Sequence, residues 1–368
     1  PLRKRYKREL RQDLGKYIAI FLFMLLSIGF ISGFLVAGTS MKTAYDQSFK
    51  KYNIEDGHFI LKEKADKDLI KTLQDDEHVK LYSQPYIEEK ATDDNTYRIY
   101  ANRSKVNKLS VLSGRMAKAD DEITIDRLFA ENNDIKVGDS IQLNGTSWKV
   151  CGLVAFSDYS ALFEDNSDLM FDAQTFTAAA VTQDGFDAMA ENLKKLDDGS
   201  TQTRSLHYNY AWKWEKQGMS EQTKRDKSDD LLSKLVKEAF FTDNEVKDFL
   251  QEADNQAIHF SGNDLGGDKQ MVIWFMYIIT AILAFVFAVT TLNTIEKEAT
   301  VIGTLRASGY TRAELIRHYM TLPVIITLIA CVIGNILGYS FFKNIVATLY
   351  YGSYSLPTYK TLWNPEAF

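Results

Sequence analysis

Residues Met271–Leu292 read MVIWFMYIITAILAFVFAVTTL, 22 positions without one Asp, Glu, Lys, Arg or His. Two further windows share the property: Tyr17–Ala37, YIAIFLFMLLSIGFISGFLVA, and Met320–Phe342, MTLPVIITLIACVIGNILGYSFF. At about 1.5 Å per residue, a helix of ~20 apolar residues crosses the ~30 Å hydrocarbon core of a bilayer. Each charge at the bilayer centre would cost roughly 2.5–3.5 kcal/mol, so charge-free runs of this length fit a lipid solvent. Averages over the chain hide this. Its 368 residues carry 43 Lys+Arg against 49 Asp+Glu, a net charge of −6, and the mean hydropathy is −0.22. Those figures alone describe one or two soluble domains. With 45% hydrophobic residues the chain is not intrinsically disordered, and its two cysteines exclude a disulfide scaffold or a Cys-rich zinc module. The acidic excess argues against nucleic acid as a partner.

The first sixteen residues place Arg3, Lys4, Arg5, Lys7, Arg8, Arg11 and Lys16 against Glu9 and Asp13. The positive-inside rule assigns this end to the cytoplasm. Leu2, Tyr6, Leu10 and Leu14 recur every fourth residue, which predicts a basic interfacial helix over residues 1–16. The apolar run that follows exceeds the ~7–15 residues of a signal-peptide core, so it reads as an uncleaved anchor. Spans are therefore expected at 17–37, 271–292 and 319–342. Residues 38–270 and 343–368 are expected outside, and 293–318 inside. The segment 38–270 has 30 basic and 43 acidic residues, whereas the inner loop sets Lys297, Arg306, Arg312 and Arg317 against Glu296, Glu298 and Glu314. The expected fold is an α-helical transmembrane bundle with a large extracytoplasmic α+β domain inserted between its first two spans.

Within that domain, Gly57–Lys62 and Tyr97–Ala101 alternate as strands do. Ser140–Val154, SIQLNGTSWKVCGLV, predicts a hairpin turning at Asn144-Gly145, where both positions tolerate positive φ. Leu231, Leu235 and Ala239 predict a helix, and Thr242-x-x-Glu245 is read as a capping box opening a second one through Val246, Phe249, Leu250 and Ala253. Asp158–Asp172 and Asp197–Ser205 read as loops. No His-Glu-x-x-His, Cys-x-x-Cys, Gly-x-Ser-x-Gly or phosphate-binding loop occurs. His58, His78, His207 and His259 lack metal-ligand spacing, so no metal or other cofactor is expected in the chain.

The inner loop is Asn293–His318, NTIEKEATVIGTLRASGYTRAELIRH. Ile295, Ala299, Ile302 and Leu305 follow helical spacing, Gly309 can end that helix, and Thr311-x-x-Glu314 can cap the next. A short helix-turn-helix between two spans suits a socket for a cytoplasmic partner. Gly29-x-x-x-Gly33 and Gly334-x-x-x-Gly338 provide small-residue faces for helix packing, and Asn335 is expected to hydrogen-bond a neighbouring helix.

The run Glu298-Ala-Thr-Val-Ile-Gly303-Thr-Leu305-Arg306-Ala307-Ser-Gly309-Tyr-Thr-Arg312 resembles the signature of FtsX/MacB-type ABC transporter permeases, in which Glu-Ile-Gly-x-Leu-Arg-Ala-x-Gly-x-x-Arg follows the second span. Val301 stands where isoleucine is commoner. Gly114-Arg115, Ile135-Lys-Val-Gly138-Asp139 and the hairpin after them are similar to the outer domain of such permeases. The resemblance implies a bacterial plasma-membrane subunit, a fourth span beyond residue 368, and hence a chain that is the first part of a longer permease. It implies a cytoplasmic ABC ATPase dimer as partner, with ATP and Mg bound there, since this chain lacks Gly-x-x-x-x-Gly-Lys-Ser/Thr. A second permease half or copy and membrane lipid complete the implied partners. The implied coupling residues are Glu296, Glu298, Gly303, Leu305, Arg306, Gly309, Arg312, Glu314 and Arg317. The implied function is mechanotransmission for export or extraction of a substrate. The alternative is a sensor or regulator of a cell-envelope process that moves no cargo; an enzyme is the weakest fit.

Overall fold

A computed structural model describes residues 6, 10–11, 13–91, 95–143, 145–195 and 204–367. Most of the predicted interfacial helix, Asn144 of the hairpin turn and the acidic stretch 196–203 lie outside the described residues. The chain divides into two compact units. The membrane unit is Pro1–Lys42, Leu265–Leu349 and Lys360–Phe368; the outer unit is Thr43–Asp264 with Tyr350–Tyr359.

Each charge-free window lies inside a longer helix. These are α1 (Leu14–Lys51), α6 (Gln256–Lys297) and α8 (Arg312–Leu337), which runs on through a π-helical turn at Gly338–Phe342 into α9 (Lys343–Tyr351). All three are long and apolar enough to cross a membrane. Between α6 and α8 stands a short helix, α7 (Ala299–Ala307). The chain is a multi-pass membrane protein with a sheet-containing domain between its first two spans.

The outer unit is built on strands β1 (Gly57–Leu61), β2 (Val79–Ser83), β3 (Tyr86–Lys90), β4 (Thr96–Ala101), β5 (Leu109–Gly114), β6 (Glu122–Asp126), β7 (Ser140–Leu143), β8 (Thr146–Phe156), β9 (Phe176–Val181), β10 (Arg204–Trp214) and β11 (Val246–Gln251). Their path is β11-β1-β10-β3-β4-β9-β6-β8-β5, with β2 paired to β10 and β7 to β8. Helices α2 (Lys67–Glu77), α3 (Arg127–Asn132), α4 (Gln183–Lys195) and α5 (Glu221–Phe241) complete it. Strand alternation sorts the residues of β1 and β10 by face. Phe59 and Leu61 of β1 and Tyr210, Trp212 and Trp214 of β10 form a core with Leu69 and Leu73 of α2 and Leu231, Leu235 and Ala239 of α5. The Asp66 side chain caps α2 by accepting from the Leu69 N–H at 2.6 Å, and Ser220 caps α5.

The predicted strands, the hairpin and the helix through Leu231 are all present, the hairpin closing with Leu143 opposite Thr146 and Gly145 at φ 73. The second predicted helix is absent. Thr242 caps the end of α5, its N–H donating to the Glu238 and Ala239 carbonyls, and Asp243 adopts left-handed φ 54. Val246–Gln251 then pairs antiparallel with β1, and Phe249 stacks on Trp212 with ring centroids 4.8 Å apart. A Thr-x-x-Glu spacing marks a helix start only where the preceding helix has ended elsewhere; here pairing with a strand some 190 residues earlier decides the conformation.

Two histidines have carboxylate partners, His58 with Glu55 at 2.6 Å and His259 with Glu252 at 2.6 Å. Among the described residues no cluster of His, Cys, Asp or Glu could hold a metal ion.

The segment Tyr350–Tyr359 joins the outer unit. Arg127 Nη2 donates to the Tyr351 and Tyr354 carbonyls at 2.7 and 2.8 Å, and the Ser355 N–H donates to the Ser160 carbonyl at 2.9 Å. Ser355 Oγ donates to Asp126 Oδ2 at 2.5 Å, while Asp126 Oδ1 caps α3 at the Leu128 N–H. Burial pushes the fully enclosed Asp126 carboxyl up to about 6, against the opposing pull of those hydrogen bonds. Between pH 6 and 4 the folded unit therefore keeps a proton that the unfolded chain releases. Stability rises as pH falls through that window and is lost as pH climbs out of it. Asp126→Asn keeps Oδ1 as acceptor for the Leu128 N–H and turns Nδ2 toward Ser355 Oγ, a hydroxyl that can accept instead of donating. It is expected to stabilise the outer unit at pH 7.5 by up to about 3 kcal/mol, with the difference shrinking toward pH 4. Urea unfolding followed by tryptophan fluorescence across pH 4–7.5 measures this, and a pH-independent difference would contradict it.

Candidate functional site

The inner loop folds as its spacing predicts. α6 ends at Lys297, Glu298 turns the chain, and α7 runs from Ala299 to Ala307. Gly309 at φ 94 closes α7: its N–H donates to the Arg306 carbonyl, and the Tyr310 N–H to the Leu305 carbonyl. Thr311 and Glu314 form a reciprocal capping box at the start of α8. Two breaks within a dozen residues leave α7 as a separate nine-residue rod between two membrane-length helices.

Exposed on this loop are Glu296, Gly303, Arg306, Gly309, Arg312, Glu314 and Arg317, while Leu305 is half-buried. Among the described residues no ion pair joins Arg306, Arg312 or Arg317 to a carboxylate, so three guanidinium groups face outward. A Cβ built at Gly303 would meet nothing within 4 Å, which leaves an open notch on the rod. Glu298 also has a partner within the chain. It is half-buried and accepts from the Tyr319 hydroxyl at 3.1 Å, tying the root of α7 to α8.

The ends of the spans are also tied together. Lys16 Nζ donates to the Thr290 carbonyl at 3.1 Å and to Thr294 Oγ1 at 2.8 Å, joining α1 to the end of α6. The Tyr6 ring stacks on His318 with centroids 4.6 Å apart. Neither contact was legible beforehand, because Lys16 reads as one more positive-inside charge.

The two glycine stripes face one another. A Cβ on Gly33 would lie 2.8 Å from the Lys343 backbone nitrogen and 2.6 Å from Phe342 Cβ. One on Gly338 would lie 2.6 Å from Ser32 Oγ and 3.0 Å from the Gly29 carbonyl, and one on Gly334 3.0 Å from Ile28 Cγ2. The π turn at Gly338–Phe342 inserts an extra residue per turn and sets Phe342 against Gly29 and Gly33. Asn335 behaves otherwise than expected. Its Nδ2 donates to the Cys331 carbonyl of its own helix at 3.0 Å, and its Oδ1 has no partner among the described residues. An amide three to four residues from a free lone pair on its own helix needs no neighbour to satisfy its donor. After α9 the chain returns to α1, where Asn364 Nδ2 donates to the Leu35 carbonyl and Thr39 Oγ1 at 3.2 and 2.9 Å.

Residues 273–365 match the family model of the FtsX-like permease C-terminal domain. That stretch contains most of α6 and all of α7, α8 and α9, and with them the whole signature from Glu298 to Arg312. No curated protein matches the chain.

The glycine seam predicts an inversion of ordinary helix propensity. Alanine favours a helix over glycine by about 1 kcal/mol, so Gly38→Ala, where an added Cβ meets nothing, is expected to be neutral or stabilising. Gly33→Ala is expected to destabilise by about 1–3 kcal/mol, because backbone rather than a movable side chain stands in its way. Unfolding midpoints in mixed micelles compare the two, and equal midpoints would remove the seam from the packing argument.

Proposed function

We propose that this chain, which carries the FtsX-like permease C-terminal domain over residues 273–365, is the membrane subunit of an ABC transporter driven by a separate cytoplasmic ATPase. The observation that supports this best is α7, a short rod exposing Gly303 and Arg306, hinged at both ends and joined directly to two membrane-length helices. A subunit gripping α7 pulls on α6 and α8 together. Arg306, Arg312 and Arg317 offer charge to an acidic docking surface, and the open notch at Gly303 lets a partner's backbone approach.

In this reading the N-terminus and residues 293–318 lie in the cytoplasm of a bacterial cell, and the outer unit lies across the plasma membrane. ATP and Mg belong to the ATPase dimer, and the chain itself is non-catalytic. Closure of the dimer moves α7, and the movement travels along α6, a helix without interruption from Gln256 to Lys297. Tyr319–Glu298 and Lys16–Thr294 make α1, α6 and α8 respond as a group. The outer unit is the moving part that exports or extracts the substrate, beside lipid and a second permease half or copy.

Reversing charge at Arg306→Glu and Arg312→Glu together is expected to lower recovery of the ATPase at least tenfold in co-purification while leaving membrane insertion unchanged. Normal recovery would overturn the docking assignment. Stimulation of ATP turnover without substrate-dependent export would shift the reading to a sensor of the cell envelope.

A further inference from the structure

Helix α5 has an outward face of two unlike halves. Ser228, Leu231, Leu235 and Ala239 form its buried stripe. At about 100° per residue, the face turned away from that stripe carries Val236 and Phe240, one turn apart, with Phe241 beside them. A surface helix keeps that face polar as a rule. Here Val236 is 50% exposed, Phe240 79% and Phe241 69%, and the two phenylalanine rings meet edge to face with centroids 6.1 Å apart. Single apolar residues scattered on a surface need no explanation, but three within two turns of one helix make a contiguous patch.

The N-terminal half of the same face is acidic. Asp226, Asp229 and Asp230 are exposed, and none has an ion pair among the described residues. The neighbouring cations are already taken: Arg225 pairs with Asp254 at 2.8 Å and Lys234 with Asp76 at 2.6 Å. Lys237, next to Val236, adds one opposite charge at the apolar end. From Asp229 to Phe240 the axis rises about 16 Å. The face is therefore a straight strip, acidic at one end and aromatic about three turns further on.

We propose that this face of α5 docks a basic amphipathic helix of a partner protein. Its apolar residues cover Val236, Phe240 and Phe241, and Lys or Arg side chains about three turns away meet Asp226, Asp229 and Asp230. The Val236–Phe240 ridge suits a helix, whose own ridges pack into the grooves beside it. Charge complementarity selects this occupant. A second copy fits poorly, because two α5 faces laid antiparallel set carboxylates on phenylalanines, and laid parallel set carboxylate on carboxylate. An anionic lipid surface meets the same three unpaired charges. Phe241 also stands five residues before Val246, at the Leu61 end of β1, whereas α1 and α6 join the sheet at its Gly57 and Gln251 end. Docking on α5 needs no ATPase, so this surface and the coupling assignment stand or fall separately.

The probe is a fluorescent synthetic peptide of about 18 residues, long enough as a helix to cover the strip. Leucines line one face of its N-terminal half and lysines the same face of its C-terminal half. It is titrated by anisotropy into the full chain in nanodiscs of zwitterionic lipid, with empty nanodiscs as the reference. Saturable binding of one peptide per chain is expected. It should weaken at least tenfold in Phe240→Ser/Phe241→Ser, as for an aromatic anchor, and at least tenfold in Asp226→Asn/Asp229→Asn/Asp230→Asn. A peptide with glutamates in place of the lysines should not bind. Asp184→Asn/Asp187→Asn/Glu191→Gln removes the same charge from exposed positions of α4 and should change affinity less than twofold. Absence of saturable binding overturns the proposal, and so does full binding by the phenylalanine variant. An equal loss in the α4 variant also overturns it, since that would mean diffuse attraction to an acidic domain. Adsorption to anionic vesicles, or pairing of loaded nanodiscs, that disappears in Phe240→Ser/Phe241→Ser would give the face to lipid or to a second copy instead. If the phenylalanine variant fails to fold, the triple aspartate variant and the glutamate peptide decide, because those three carboxylates are exposed.

Discussion

Backbone meets backbone where α1 crosses α8, and the membrane unit depends on that approach. In lipid the apolar side chains gain little by leaving their solvent for one another, so packing and close contact decide which helices associate. Gly29 and Gly33 on one helix and Gly334 and Gly338 on the other remove the side chains that would hold the axes apart. The consequences extend along the unit. Ile20 and Met24 of α1 pack with Ala330 of α8, and Leu283, Val286 and Phe287 of α6 close over them. Further along, Leu35 and Val36 gather Val272 and the returning Ala367.

The outer unit follows a different rule, since water surrounds it and its sheet has two unlike faces. The apolar face is closed by α2 and α5 around Trp212. The polar face keeps ions, and these are matched with care: Arg103 to Asp158 at 2.6 Å and Arg98 to Glu88 at 2.7 Å. Asp126 marks a second polar junction, where a strand end, a helix cap and the segment Tyr350–Tyr359 converge on one enclosed carboxyl.

Much of the candidate coupling site was legible residue by residue. Gly309 ends α7 and Thr311 caps α8 because those roles depend on atoms three or four positions away. The tie from the Tyr319 hydroxyl to Glu298 was not legible, because it runs across a turn rather than along a helix. Asn335 was misplaced for the converse reason, since an acceptor on its own helix was within reach. Val246–Gln251 shows the same limit in the sheet: its local pattern suits a helix face, and only β1 makes it a strand.

The sequence by itself determined the spans, the inserted domain, the short helix between the last two spans and the family resemblance. Each rests on composition or on spacings shorter than two helical turns, which the chain encodes locally. The tertiary structure alone decided that the glycine stripes face each other, that Ser355 reaches Asp126, and that β1 stands between β10 and β11. Those pairings join residues far apart in the chain. Hydrogen-bond satisfaction and close packing at such distances leave no periodic trace, because any donor or small residue of the right shape would serve until the fold selects one.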